Sequence, residues 1–117
     1  MLYKKGKHII ASLQTTNETL LLNYSNYKSC IDELINSFSL VNLGEVYHNF
    51  TPIGFTAVVC LSESHISIHT WPEHNLINLD IYLSNYLRDN TDTVEQIFGK
   101  LVAFFNAAII NQQTILR

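Results

Sequence analysis

Residues 61–73, LSESHISIHTWPE, decide how this chain folds. From Ile66 to Thr70 apolar and polar side chains alternate, the period of a strand with one buried face. Ile66, Ile68 and Thr70 are β-branched and disfavour a helix, and Pro72 closes the run. The neighbours follow suit. GFTAVVCL (54–61) is nearly unbroken apolar and reads as a central strand, and NLINLDIYL (75–83) alternates. HIIASLQ (8–14) predicts a first strand, EVYHNF (45–50) another that ends at Thr51-Pro52, and AIINQQTILR (108–117) a short closing one. Ile31, Leu34, Ile35 and Phe38 recur at spacings of three and four, which predicts a helix from about Asn26 to Phe38. A second stripe, from Val94 through Ile97, Phe98, Leu101 and Phe105, predicts another, with Phe104 and Phe105 as core residues. Thr91-Asp92-Thr93 with Glu95 resembles a capping box at its start. The expected fold class is α+β: a two-layer sandwich, its mostly antiparallel sheet covered on one face by two helices. With no repeat, low-complexity tract or linker, residues 1–117 should form a single domain.

The chain has 117 residues, 47% apolar and only 15% charged, a globular composition. Its formal net charge is −3, and the sole basic cluster is Lys4-Lys5-Gly6-Lys7, which argues against nucleic acid as a partner. No apolar run approaches the roughly 18 to 20 residues that span a bilayer, so no membrane partner is expected. The opening MLYKKGKHIIASLQ is too short in apolar residues for a secretory signal. Cys30 and Cys60 form neither a CxxC pair nor a disulfide framework, so a reduced, cytoplasmic protein is expected.

Three chemistries compete for the 61–73 stretch. His65, His69, His74 and Glu73 are metal-ligand types. On a strand, however, His65 and His69 lie about 13 Å apart, too far to share a zinc whose ligands sit at about 2.0–2.1 Å; no metal is expected. A hydrolase nucleophile lacks its G-x-S-x-G signature, and a regular strand puts His69 on the opposite face from Ser64. A break at Ser64 would be needed to bring them together. The plainest alternative makes His65, Ser67 and His69 the solvated face of an edge strand.

SESHISIHTWPE (62–73) closely resembles the self-cleavage and active-site segment of the bacterial S-adenosylmethionine decarboxylases, small pyruvoyl-dependent enzymes of polyamine (spermidine) synthesis. GKHIIA (6–11), HNFTPIGFTAVV (48–59) and NLDIYLSN (78–85) resemble other strands of that family, whose fold is the same two-layer sandwich. The resemblance implies a proenzyme that cuts itself between Glu63 and Ser64. The Ser64 hydroxyl attacks the preceding carbonyl, and elimination of the ester leaves a residue that hydrolyses to a pyruvoyl cofactor. That group holds the substrate amine as a Schiff base and accepts the electrons left by departing carbon dioxide, with no metal and no pyridoxal phosphate.

Residue by residue, the resemblance gives His69 proton transfer during processing. It gives Thr56 the part of a processing serine, Phe50 packing on the adenine and sulfonium region, and Glu73 the ribose hydroxyls. Two departures stand out. Position 84 is Ser84, within Leu83-Ser84-Asn85, where the family has a cysteine that reprotonates the decarboxylated carbon; an alcohol is a far weaker acid than a thiol of pKa about 8.5. Neither Cys30 nor Cys60 is placed to substitute by sequence. Ser12-Leu13 also stands where relatives often carry an acidic residue. S-adenosylmethionine is therefore the expected substrate, with two alternatives: ornithine or arginine decarboxylation on the same fold, or an unprocessed, non-catalytic homologue acting as a binding or regulatory partner. Processed protomers are expected to pair as a homodimer.

Overall fold

The computed structural model describes residues 2–117. In chain order it contains β1 (Lys7–Gln14), α1 (Thr19–Leu22), α2 (Ser25–Ser37), β2 (Asn42–Asn49), β3 (Phe55–Leu61), β4 (Ser64–Trp71), a 3-10 turn (Pro72–His74), β5 (Leu76–Leu83), α3 (Thr91–Phe105) and β6 (Ala108–Leu116). The six strands make one sheet in the order β2-β3-β4-β5-β1-β6, antiparallel throughout. The α+β sandwich expected from periodicity is the fold observed.

The alternation in each central strand decides which face is covered. In β4, Ile66, Ile68 and Thr70 are buried, while His69 and Trp71 are exposed. Ile77, Leu79, Ile81 and Leu83 of β5, and Ile9, Ala11 and Leu13 of β1, carry the buried face across the sheet. Against it lie the apolar stripe of α2 (Tyr27, Ile31, Leu34, Ile35) and that of α3 (Val94, Ile97, Phe98, Leu101, Phe105). Full burial of each such side chain stabilises by roughly 1.5–3 kcal/mol, and both helices are held chiefly in this way. Among the described residues no helix covers the other sheet face. Its rows run across the strands: Thr56–His69–Asn78–Ser12, then Val58–Ser67–Asp80–Ile10, then Cys60–His65–Tyr82–His8.

Three expectations need correction. His65, Ser67 and His69 do share the open face, but β4 is an interior strand between β3 and β5, so the edge-strand reading fails. A single helical turn, α1, precedes α2 and is too short to leave a periodic signature. The start of α3 is not a capping box on Asp92: the helix begins at Thr91, whose N–H donates to Asp89 Oδ1 at 2.9 Å. Asn90 occupies the N-cap without capping, because its side chain is engaged elsewhere.

Gly6 ties the site to the sheet. Its N–H donates to the Arg117 carbonyl at 2.8 Å, and a Cβ on it would sit 2.4 Å from the Leu83 carbonyl oxygen. Gly6→Ala is expected to destabilise by about 1–3 kcal/mol, the usual cost of forcing extra volume into packed structure. A urea melt checks this; an unchanged midpoint would contradict the close approach.

Candidate active site

The residues singled out in the sequence lie at the two ends of β4. At one end, Ser62 and Glu63 form the two-residue loop between β3 and β4, with Leu61 paired to Ser64. Ser64 has φ +136°, a conformation that costs a non-glycine residue of order 1–3 kcal/mol. The strain is confined to Ser64: the strand pairing runs through it without a shift and does not bring it to His69. The Glu63 carbonyl accepts a hydrogen bond from the Ser84 N–H at 2.8 Å. The Glu63 side chain is buried, and both its oxygens are gripped by Arg88, Nε to Oε1 at 3.0 Å and Nη2 to Oε2 at 2.9 Å. Asn90 Nδ2 adds a bond to Oε1 at 3.1 Å. The Arg88 fork holds this carboxyl below its ordinary value, and Asn90 adds to that against the opposing effect of burial.

At the other end a cleft of about 360 Å³ opens beside His69, with Phe50, Trp71 and Glu73 on its walls. Phe50 follows β2 and stacks edge-on with His48, centroids 4.9 Å apart. Gly54, at φ +98°, returns the chain so that its carbonyl accepts the Phe50 N–H at 2.8 Å. Glu73 sits in the 3-10 turn that ends β4. His69 Nδ1 lies 2.6 Å from Thr56 Oγ1 across the β3–β4 ladder. Trp71 was given no role by sequence. Its indole N–H donates to Asn78 Oδ1 at 2.8 Å, and Asn78 Nδ2 donates to Ser12 Oγ at 3.1 Å, which fixes an exposed ring at the cleft. Its place in the alternation, on the same face as His69 and just before Pro72, was the available signal.

Thr56, His69, Phe50 and Glu73 thus come together, and Ser64, Glu63 and Ser84 come together, but the two groups are separate. Ser64 and His69 are five residues apart on β4, about 16 Å at 3.3 Å per residue. Within one chain His69 does not reach the Ser64 bond.

The thiols also look different in three dimensions. Cys30 is half-buried on α2, whereas Cys60 is exposed on the open face, paired with His65 one rung from Ser64. The two-residue loop at Ser62-Glu63 folds β3 back on β4 and so sets this thiol beside the cleavage hairpin.

The metal-ligand types regroup as well. His65 meets not His69 but His8 and Asp80, with ligand atoms all within 4.8 Å of one another. His8 is buried, and Arg117 Nη1 lies 3.4 Å from its Nδ1. A guanidinium can only donate, so Nδ1 accepts and the ring proton sits on Nε2, 3.6 Å from Asp80 Oδ2. The Nε2 hydrogen has no hydrogen-bond partner, and the arginine alongside disfavours a cation. Burial pushes the His8 imidazole below its usual value; Asp80 opposes this, and Arg117 and His65 reinforce it. The folded protein therefore keeps His8 neutral where the unfolded chain takes up a proton. The stability this contributes is complete above about pH 6.5 and is lost as pH falls from there through the depressed folded value. The urea midpoint is expected to drop as pH falls below about 6.5, and His8→Gln should flatten that drop. A wild-type midpoint that holds constant would contradict the assignment.

Among the described residues no helix is long and apolar enough to cross a membrane. The architecture is that of a decarboxylase: it superposes on the crystal structure of the adenosylmethionine decarboxylase from Aquifex aeolicus with a TM-score of 0.79. The two are 25% identical, and the match covers 99% of this chain and 91% of that one. The S-adenosylmethionine decarboxylase family model matches residues 7–117. An S-adenosylmethionine decarboxylase proenzyme from Archaeoglobus fulgidus is 41% identical over 93 residues, 80% of each chain. A Hydrogenobaculum proenzyme of the same name is 36% identical over 77 residues, 66% of this chain and 58% of the relative. The chain belongs to the S-adenosylmethionine decarboxylase family, whose members are carboxy-lyases.

Proposed function

We propose that this chain is the proenzyme of a pyruvoyl-dependent S-adenosylmethionine decarboxylase that cleaves itself between Glu63 and Ser64. The observation that carries the reading is the strained Ser64 directly after a carbonyl already bound by the Ser84 N–H at 2.8 Å. Attack by Ser64 Oγ on the Glu63 carbonyl carbon forms a C–O bond, with charge gathering on the carbonyl oxygen; the C–N bond then breaks as the hydroxyl proton passes to the nitrogen, leaving an ester and a free Ser64 amine. The Ser84 N–H is aimed at the carbonyl oxygen, the arrangement of an oxyanion hole. Loss of the Ser64 Cα proton then breaks the Cβ–O bond. Glu63 leaves as a new carboxylate terminus, and hydrolysis of the remaining unsaturated residue releases ammonia. The pyruvoyl group so derived from Ser64 supplies an electron sink for decarboxylation.

The residues around it do the rest. Phe50 and Trp71 offer ring faces to a flat base and to a sulfonium, and Glu73 offers a carboxylate to sugar hydroxyls. Because Ser64 and His69 lie at opposite ends of β4, a complete site needs two copies. Two open sheet faces related by a two-fold axis would set each chain's Thr56–His69 end against the other's Ser64. The exposed Val58 and Trp71 on that face favour such pairing. The substrate is a small amino-acid-type molecule, and two free cysteines suit work in the cytoplasm.

The test is release of labelled carbon dioxide from carboxyl-labelled S-adenosylmethionine, ornithine and arginine by purified protein. Release from S-adenosylmethionine alone is expected. Release from ornithine or arginine alone would transfer the activity to that substrate, and none from any would leave a non-catalytic homologue.

A further inference from the structure

We propose that Arg88 and Asn90 are positioning residues for self-cleavage, clamping the Glu63 carboxylate so that the scissile carbonyl is held against the Ser84 N–H. The inference rests on the reading of Glu63–Ser64 as the cleavage site, and it deepens that reading.

The geometry is over-determined. Arg88 meets Glu63 as a fork at 3.0 and 2.9 Å, and its Nη2 also donates to the Phe38 and Ser39 carbonyls at 3.1 and 3.2 Å. The guanidinium therefore fastens the β3–β4 hairpin to the end of α2. A bidentate charged pair fixes direction as well as distance. Asn90 is buried and bonds both sides of the reacting unit: Nδ2 to Glu63 Oε1 at 3.1 Å and to the Ser84 carbonyl at 2.9 Å. One amide thus couples the side chain of the residue that is cut to the residue whose N–H receives its carbonyl. Asn90 also stands at the N-cap of α3, where its side chain would ordinarily bond the first turn, yet it makes no cap. An Asn at this position ordinarily stabilises its own helix, so diverting it to Glu63 is a local cost without a local return. The Asn85 side chain completes the turn by accepting the Asn90 N–H at 2.7 Å and donating to the Lys5 carbonyl at 3.0 Å.

The clamp has a chemical consequence beyond rigidity. Cleavage creates a second carboxylate on Glu63 beside its own side chain. With the side-chain charge matched by Arg88, the leaving carboxylate does not face an unpaired neighbour of like sign. Holding the carbonyl also keeps Ser64 in its strained conformation, which Oγ attack relieves.

The test is the rate at which newly synthesised full-length chain converts to two chains in a cell-free translation chase, read by intact mass. Arg88→Met is expected to slow conversion about 10²-fold, the scale of loss when a reacting group is misplaced by an ångström; Asn90→Ala should slow it at least about tenfold. Lys28→Met, which removes a surface pair with Asp32 and Glu45, should leave it unchanged. Melting temperatures in a Ser64→Ala background report folding separately from cleavage. Because Arg88 acts through the carboxylate, Arg88→Met should add little once Glu63→Gln is present. Hydroxylamine, which cuts the ester intermediate, should not release fragments from Arg88→Met, since the block precedes ester formation. If Arg88→Met does not fold, Asn90→Ala and Glu63→Gln, each of which should slow conversion by itself, decide. Wild-type rates in folded Arg88→Met and Asn90→Ala, or an equal loss in Lys28→Met, would overturn the clamp while self-cleavage stands. A wild type that never converts would overturn both.

Discussion

Ser64→Ala is expected to remain one chain of 117 residues, while wild type resolves into fragments 1–63 and 64–117. Removing the hydroxyl removes the only atom that can take the acyl group from the backbone nitrogen, so the effect is complete rather than partial. The 64–117 fragment should lack a free amino terminus and should react with hydrazines and borohydride, as a ketone does. Full-length wild type with an unmodified Ser64 after long incubation would contradict the proenzyme reading. The strained φ at Ser64 predicts one more difference: Ser64→Gly should melt higher than Ser64→Ala, because glycine adopts φ +136° without the Cβ penalty.

Ser84→Cys is expected to raise turnover on S-adenosylmethionine by about 10² to 10⁴-fold, the usual worth of a well-placed general acid. The family resemblance puts a thiol at this position, and the present chain has an alcohol whose proton is held far more tightly. Ser84 follows Leu83, the partner of Ser64 on β5, so its side chain is one residue from the reacting strand pair. Cys60 flanks the same hairpin from β3, which makes Cys60→Ser the necessary companion variant. A fall in turnover with Cys60→Ser alone would move the acid to β3. Steady wild-type turnover unaffected by either substitution would remove position 84 from the chemistry.

The fold was legible because its signals are local. Ile66, Ile68 and Thr70 declare a strand by alternation, and the α3 stripe from Val94 to Phe105 declares a helix by its period; both are observed. The α1 turn was not legible, since four residues carry no period. The site was legible only in part. SESHISIHTWPE marked Ser64 and His69, and strand spacing alone keeps them apart, yet nothing in the string says that the strand is interior. Arg88 is 25 residues from Glu63, and Asn90 is 27 away. Such pairings are set by tertiary packing. The capping expectation at Asp92 missed for a related reason: the N-cap side chain serves Glu63, not its own helix. Sequence rules for caps assume that local needs prevail, and at this hairpin they do not.

The proposal that joins the two separated halves of the site is that one copy's His69 serves the other's Ser64. It is tested most directly by co-expressing a His69→Ala chain and a Ser64→Ala chain under different tags, purifying the mixed dimer through both, and reading intact masses. Alone, neither variant should be cut. In the mixed dimer the His69→Ala chain should be cut between Glu63 and Ser64, because its own Ser64 meets the intact His69 of the other copy, and the Ser64→Ala chain should stay whole. A His69→Ala chain that remains whole in the mixed dimer, under conditions where wild type is fully cut, would contradict the account.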